Sequence, residues 1–237
     1  MPDSSSATDS TTGPEGTRLA LIEAGLGLFG AKGYAATSIR QLAAEAGANV
    51  AAIAYHFGGK AGLRQACAEA FVARVAARLA PPPDHPAASP DPAAARAALH
   101  AVLGRVVEFL LSGPAAARMV PFVLREIAED GEATALIYAR LIEPTHRRLC
   151  ALWSTATGQE AEAEAVRLAV FAVLGQALYF RIGAPVVRRR MGWEMPAGGF
   201  GPAEVQAVRA VLAAHLDAML DAASDAASDA ASNAAGG

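Results

Sequence analysis

The chain is poor in the residues that stiffen a fold covalently or carry reaction chemistry. Of its 237 residues two are cysteines, Cys67 and Cys150, far apart along the sequence and on predicted helices. Both are expected as buried, reduced thiols. Aromatic residues make up 6% of the chain, and alternating β-branched runs with hairpin turn signals are missing, so the fold is expected to be all-α. No nucleophile stands beside a base, no glycine-rich phosphate loop occurs, and His56, His85, His100, His146 and His215 are scattered rather than paired at metal-ligand spacing. These gaps argue against an enzyme and leave no catalytic, metal or cofactor site to assign. No apolar stretch of membrane-spanning length is free of a charge or a break. The N-terminus, MPDSSSATDSTTGPEG, lacks the charged-then-apolar order of a signal peptide. A cytoplasmic protein without a membrane partner is the expectation.

What is abundant is apolar helix-forming sequence: 53% of residues are hydrophobic and the formal net charge is only −3. The stretch TSIRQLAAEAGANVAAIAYHFGGKAGL, Thr37 to Leu63, carries the most information. Thr37 and Ser38 offer capping hydroxyls ahead of Ile39, Leu42, Ala43 and Ala46, which fall on one helical face. Gly47 follows where a left-handed residue ends a helix at least steric cost, and Asn49 can cap the next helix. With Ala48, Ile53 and Phe57 turned inward, Val50, Ala51, Ala54 and Tyr55 face out. Gly58 and Gly59 break the second helix and Lys60 opens a third, to about Leu79. This is the pattern of a helix-turn-helix, which brings the end of its second helix to a DNA major groove. Tyr55, His56 and Lys60 can all donate to phosphate, and Lys60 sits at a helix start that favours an anion. From Thr17 to Ala80 the basic residues Arg18, Lys32, Arg40, Lys60, Arg64, Arg74 and Arg78 outnumber Glu23, Glu45 and Glu69. The positive excess is therefore local, as a nucleic-acid footprint should be.

From Thr17 to about Leu79 the chain resembles the DNA-binding domain of the TetR family of transcriptional regulators. The resemblance includes LALIEAGLGLFGAKGY before the motif, Gly47, the triplet Tyr55-His56-Phe57, and Lys60 with Leu63. It implies that Thr37, Ser38, Tyr55, His56 and Lys60 hold phosphates and that Arg40, Val50 and Ala51 lie nearest the bases. Three positions depart from the family pattern. Ala54 replaces a larger, hydrogen-bonding residue, Ala48 the usual valine, and Ala61 the usual glutamate. The recognition face is thus short of hydrogen-bonding groups. Val50, Ala51 and Ala54 suit contact with thymine methyls, Arg40 suits a guanine, and DNA shape would supply the rest.

The expected organisation is an N-terminal arm at residues 1–16, the three-helix helix-turn-helix domain at 17–80, a proline-rich loop at 81–92, a helical bundle for ligand binding and dimerisation at 93–221, and a low-complexity tail at 222–237. Within the bundle, Ala93–Leu111, Ala115–Asp130 interrupted by Pro121, Glu132–Thr157 broken near Pro144, Glu160–Arg190 with a break at Gly183–Pro185, and Pro202–Asp221 read as helices. The tail could extend the last helix or stay disordered. Glu160–Arg190 and Pro202–Leu220 are apolar on most sides and need a partner surface.

RMVPFVLREIAED, YARLIEPTHRRLCALWSTATG and LGQALYFRIGAPVVRRRMGW resemble the CecR-like C-terminal domain within the same family. The resemblance implies a four-helix dimer interface built from the last two long helices of each subunit. It also implies a small-molecule pocket, for which Phe122, Arg125, Glu126, His146, Gln176 and Phe180 are the candidates. Ion pairing of Arg125 and Glu126, or a satisfied core role for His146, is the competing reading. Together these expectations describe a homodimeric repressor on a near-palindromic double-stranded DNA operator, released by an unknown small-molecule effector. The alternatives are a constitutive DNA-binding dimer without ligand, favoured if the bundle lacks a cavity, and a helical-bundle enzyme. Arg188, Arg189 and Arg190 read as a solvated helix end that complements the helix dipole.

Overall fold

A computed structural model describes residues 13–80, 91–194 and 199–235. The arm through residue 12, the proline-rich segment 81–90 with His85, and the last two residues of the tail lie outside the described residues. The described residues hold eleven α-helices and no strand. They divide into two compact units.

The first unit takes the chain up to Arg74 and adds Arg118–Tyr138. Helix α1 (Pro14–Lys32) starts with proline at its first position, where a missing N–H costs nothing. It buries Leu21, Ile22, Leu26 and Phe29. Helix α2 (Ile39–Glu45) begins with a complete capping box: the Ser38 hydroxyl accepts from the Gln41 amide, and the Gln41 side chain accepts from the Ser38 amide. Gly47 turns the chain at φ 62°, a conformation that disfavours any side chain. Helix α3 (Val50–Phe57) is capped by Asn49, whose Oδ1 accepts from the Ala51 amide at 2.9 Å, and ends on Gly58 at φ 72°. The crossing of α2 and α3 buries Leu42, Ala43 and Ile53. Ile39, expected on the inward face, is instead 41% exposed: as the first residue of α2 it precedes the turn that reaches the core.

Helix α4 (Lys60–Leu79) contributes its first four turns to this unit and places Leu63 and Cys67 in the core. Helices α6 (Gly113–Ala128) and α7 (Glu132–Ile137) complete it. The sequence reading assigned this stretch to the second domain. Its apolar face instead packs on α1, with Phe122 fully buried 6.5 Å from Phe29. A Cβ at Gly30 would come within 2.8 Å of the Phe122 amide nitrogen, so the absent side chain permits this approach. Helix α6 runs through Pro121 without interruption. Burial of Met119, Val120 and Phe122 around the proline outweighs the one hydrogen bond it removes.

The second unit comprises Val75–Ala117 and the chain from Ala139 onward. Helix α5 (Pro92–Leu111) is capped by Asp91. It packs against α8 (Glu143–Thr157), α9 (Glu164–Ile182) and α11 (Pro202–Ala235). The core is Leu99, Val102, Leu103, Leu149, Trp153, Val170, Val208 and Leu216. Residues Tyr138–Ile142, ahead of α8, form a π-helical turn, so the expected break near Pro144 is a change of helix type that ends just before Glu143 and Pro144, the first two residues of α8. A short α10 (Ala184–Met191) follows the expected break at Gly183 and carries Arg188, Arg189 and Arg190 in its last turn. The tail repeat continues α11 as far as Ala235.

Candidate nucleic-acid interface

Two caps and a left-handed glycine hold α2 and α3 so that one surface gathers the polar groups of the motif. Ser38, Arg40, Asn49, Val50, Ala51, Ala54 and Tyr55 are all exposed, and His56 and Lys60 are half-buried. Tyr55 is the most open of the unit's large hydrophobic side chains, at 82% exposure, and its ring meets His56 edge-on. A tyrosine so exposed has its hydroxyl free for an outside partner. The Lys60 ammonium lies 4.2 Å from the centre of the Tyr34 ring, which ties the start of α4 to the connection between α1 and α2. Gly62 allows the close passage of the Phe57 backbone against this turn. The unit thus offers the free N-terminus of α3, short apolar side chains along its outer face, and donors around its rim.

Thr37 departs from the expectation that it holds phosphate. It is 1% exposed, and its hydroxyl donates to the Gly33 carbonyl at 2.8 Å. The side chain ties the end of α1 to the start of α2. Ser38 keeps the capping role.

A bidentate ion pair stands behind the surface. Arg64 on α4 donates through Nε and Nη2 to the Glu126 carboxylate on α6, at 2.8 to 3.1 Å, with both side chains buried. The Glu126 carboxylate, by its hydrogen bonds, raises the Arg64 guanidinium above its usual value despite burial. The Arg64 guanidinium also lies 4.5 Å from the Tyr34 ring centre. One arginine therefore joins α4, α6 and the tyrosine that braces Lys60.

The six candidate ligand residues do not assemble into one site. Phe122 is core. Arg125 donates to the Gly30 carbonyl and pairs with Glu129, and Glu126 is committed to Arg64. All three belong to the first unit. In the second unit His146 is buried and stacked on Phe171, with Nε2 3.1 Å from the Arg167 carbonyl oxygen. Gln176 meets His215 Nδ1 at 3.0 Å, and Phe180 packs edge-on with Tyr179. None of the six lines any of the three main cavities among the described residues. Their polar atoms are spent on local partners, which helical spacing alone cannot reveal. The second unit does hold an open cavity of about 240 Å³ among α4, α5, the π-helical turn and α8.

A helix-turn-helix with a solvent-facing second helix, joined to an α-helical unit that contains a cavity, is the architecture of a DNA-binding transcriptional regulator. The comparisons make this specific. Residues 21–67 match the bacterial regulatory proteins of the tetR family, and residues 95–223 match the C-terminal domain of the HTH-type transcriptional dual regulator CecR. The CecR regulator of Shigella flexneri is 30% identical over 202 residues, covering 83% of this chain and 88% of that protein. The chain belongs to the TetR family of transcriptional regulators, with a CecR-type C-terminal domain. Two solved structures share the fold. A TetR-family member from Streptomyces coelicolor A3 is 24% identical, with TM-score 0.58 over 83% of this chain and 88% of that one. AibR, solved with isovaleryl coenzyme A and operator DNA, is 20% identical, with TM-score 0.57 over 86% and 96%.

Proposed function

We propose that the protein is a homodimeric repressor that binds a near-palindromic operator through α2 and α3 and leaves it when a small molecule occupies the second unit. The observation that carries the DNA reading is the exposed, capped N-terminus of α3, with donors at its rim and an apolar face between them. Ser38, Tyr55, His56 and Lys60 would hold phosphates. Arg40 would hydrogen-bond a guanine, and Val50, Ala51 and Ala54 would contact thymine methyls. Asn49 would act through its cap, which satisfies the Ala51 amide and holds the positive end of α3 towards the DNA backbone.

The dimer reading rests on an unpartnered apolar face. Leu168, Phe171, Tyr179 and Ile182 on α9, Val186 on α10 and Val211 on α11 are each at least half exposed. Helix α9 has a mean hydropathy of 1.5, enough to qualify by length and composition as a membrane span, yet it carries Arg167 and Arg181 within it. A second copy covers such a face more readily than lipid does. A two-fold pair also doubles the length of DNA that is read. The ligand reading rests on the 240 Å³ cavity, which speaks against a constitutive binder.

The test is a titration against the DNA upstream of the protein's own gene at two salt concentrations, with footprinting, alongside the mass in solution. A specific, salt-sensitive complex over a near-palindrome and a mass twice 24.2 kDa are expected. A monomer at micromolar concentration, or equal weak binding to every DNA, overturns the reading.

A further inference from the structure

The cavity of the second unit has a chemical character that the comparisons do not assign. Its walls are apolar, from Leu79 on α4, Val102 on α5, and Leu141 and Leu149 on the π-helical turn and α8. The polar side chains at its rim include two arginines, Arg140 and Arg148, and no carboxylate lines it. Arg105, one turn beyond Val102 on α5, adds a third cationic group close by. Among the described residues none of the three forms an ion pair. The Nε atoms of Arg105 and Arg148 are buried with no hydrogen-bond partner. Arg148 makes one long contact, Nη1 donating to the Leu79 carbonyl at 3.5 Å. Burial first, and then the Arg148 charge, pull the Arg105 guanidinium below its usual value.

Buried donors without acceptors are rare because each costs the desolvation of its N–H group. Two like charges near one another in a low-dielectric setting add repulsion. Arg64 pairs with Glu126, and Arg96 with Asp217 and Asp221; Arg181 is another partly buried arginine without an ion pair among the described residues, but it lines none of the cavities described. Arg105 and Arg148 differ in standing together, at an open cavity and next to a π-helical turn, a feature frequent at functional sites. An anionic group at this cavity would give these donors an acceptor and offset their mutual repulsion.

We propose that this cavity receives a small organic acid, a carboxylate or phosphate ester with a short apolar body, whose anionic group is held by Arg148 and Arg140 with the Arg105 charge behind them. The volume sits just below the roughly 300–1,000 Å³ usual for drug-sized ligands, so the acid is small. The apolar body lies against Val102 and Leu149, whose far side bounds a cleft of about 20 Å³ beside Trp153 and Leu216. A neutral ligand leaves the arginines unpaired. A long chain would have to leave through the open side of the cavity. This inference rests on the ligand-responsive reading for its consequence at DNA, but not for binding itself.

The experiment is calorimetry and thermal denaturation of the full chain with matched pairs: octanoate against octanamide, and hexyl phosphate against hexanol. At least one acid is expected to bind and raise the melting temperature, with its neutral partner about tenfold weaker or more. Arg148→Met keeps the apolar stem, removes the charge and is expected to erase that preference. Arg105→Met is expected to weaken the acid and to raise the melting temperature of the free protein, because it relieves an unpaired charge. An arginine with a merely structural role would shift the temperature the other way. Arg147→Met, on the exposed Glu143 pair, should change neither readout. Equal binding of acids and neutral partners, no binding by any acid, or a destabilised Arg105→Met overturns the proposal. Acid binding that leaves operator affinity unchanged upholds the site and overturns release by this ligand. Operator binding without acid binding does the reverse.

Discussion

Removing the Glu126 carboxylate tests the claim that the first unit depends on one buried ion pair between α4 and α6. Glu126 is 3% exposed and accepts three short hydrogen bonds from Arg64, itself 8% exposed. Breaking a buried pair by deleting one partner costs about 3–5 kcal/mol, since the other charge stays buried and unpaired. Two features hold the figure near the lower bound here. Glu132 lies 4.0 Å from Arg64 on an exposed, adjustable side chain, and the Tyr34 ring remains beneath the guanidinium. Glu126→Ala should therefore lose about 3 kcal/mol, and its melting temperature should fall by roughly 6–12 °C at the roughly 2–4 °C per kcal/mol usual for this size. Both tryptophans, Trp153 and Trp193, lie in the second unit. Fluorescence thus follows that unit while far-UV ellipticity follows both, and the ellipticity curve should move further. The double variant Arg64→Met with Glu126→Leu should recover to within about 1 kcal/mol of the parent. A loss under about 1 kcal/mol in Glu126→Ala, or a double variant as unstable as the single, would refute the reasoning and return Glu126 to the pool of ligand groups.

Three further outcomes follow from named contacts. Arg40→Ala should weaken operator binding by about 1–3 kcal/mol while leaving random DNA nearly unchanged, whereas Lys60→Ala should weaken both and reduce the salt slope by about one; mobility shifts at several salt concentrations separate them, and equal losses on all DNA in Arg40→Ala would make it a phosphate contact. Gly25→Ala places a Cβ 2.5 Å from the buried Cys67 Sγ, so overpacking should cost about 1–3 kcal/mol in denaturant unfolding, and the added change Cys67→Ala should restore most of it. Burial pushes the Cys67 thiol well above its usual value, so the folded state keeps a proton that the unfolded chain releases above about pH 8.5. That contribution is fully present below this pH and is lost as pH rises, so between pH 8 and 10 the parent should lose about 2 kcal/mol more than Cys67→Ala. Parallel stability curves would refute this.

The motif was legible because its signals are local. Ser38, Gly47, Asn49 and Gly58 each fix a helix end within a few residues, and the structure uses all of them; the reciprocal bond from the Ser38 amide to Gln41 was not read. What the sequence withheld were partnerships. Periodicity showed that Phe122 lies on an apolar face, but nothing local says that the face packs on Phe29 rather than inside the second bundle. Thr37 and Ser38 are adjacent hydroxyls; only the path of α1 turns the first inward to Gly33. Arg105, Arg140 and Arg148 were missed because unpaired charge is visible only once every carboxylate has been located. The usable signal was negative: α5 has a single carboxylate, Glu108, and the run from Arg140 to Arg148 holds only Glu143, which is taken up by Arg147.

The cavity and the recognition helix share an element, which bounds how an effector could act. Helix α4 begins at Lys60, beside α3, and ends at Leu79, whose carbonyl receives the long Arg148 contact. The backbone of α4 runs from the first unit into the second, so the proposed effector would act on α3 through that helix. An effector shifts the DNA-binding equilibrium only by its difference in affinity between the competent and incompetent states. A tenfold loss of operator affinity needs about 1.4 kcal/mol. One charge-assisted hydrogen bond is worth about 1.5–3 kcal/mol. Drawing Arg148 from the Leu79 carbonyl to an acid in one state but not the other therefore suffices. Arg148→Met should then show an operator affinity that no longer responds to the acid, with DNA binding in its absence intact. A variant that still released DNA on adding the acid would place the switch elsewhere on the chain.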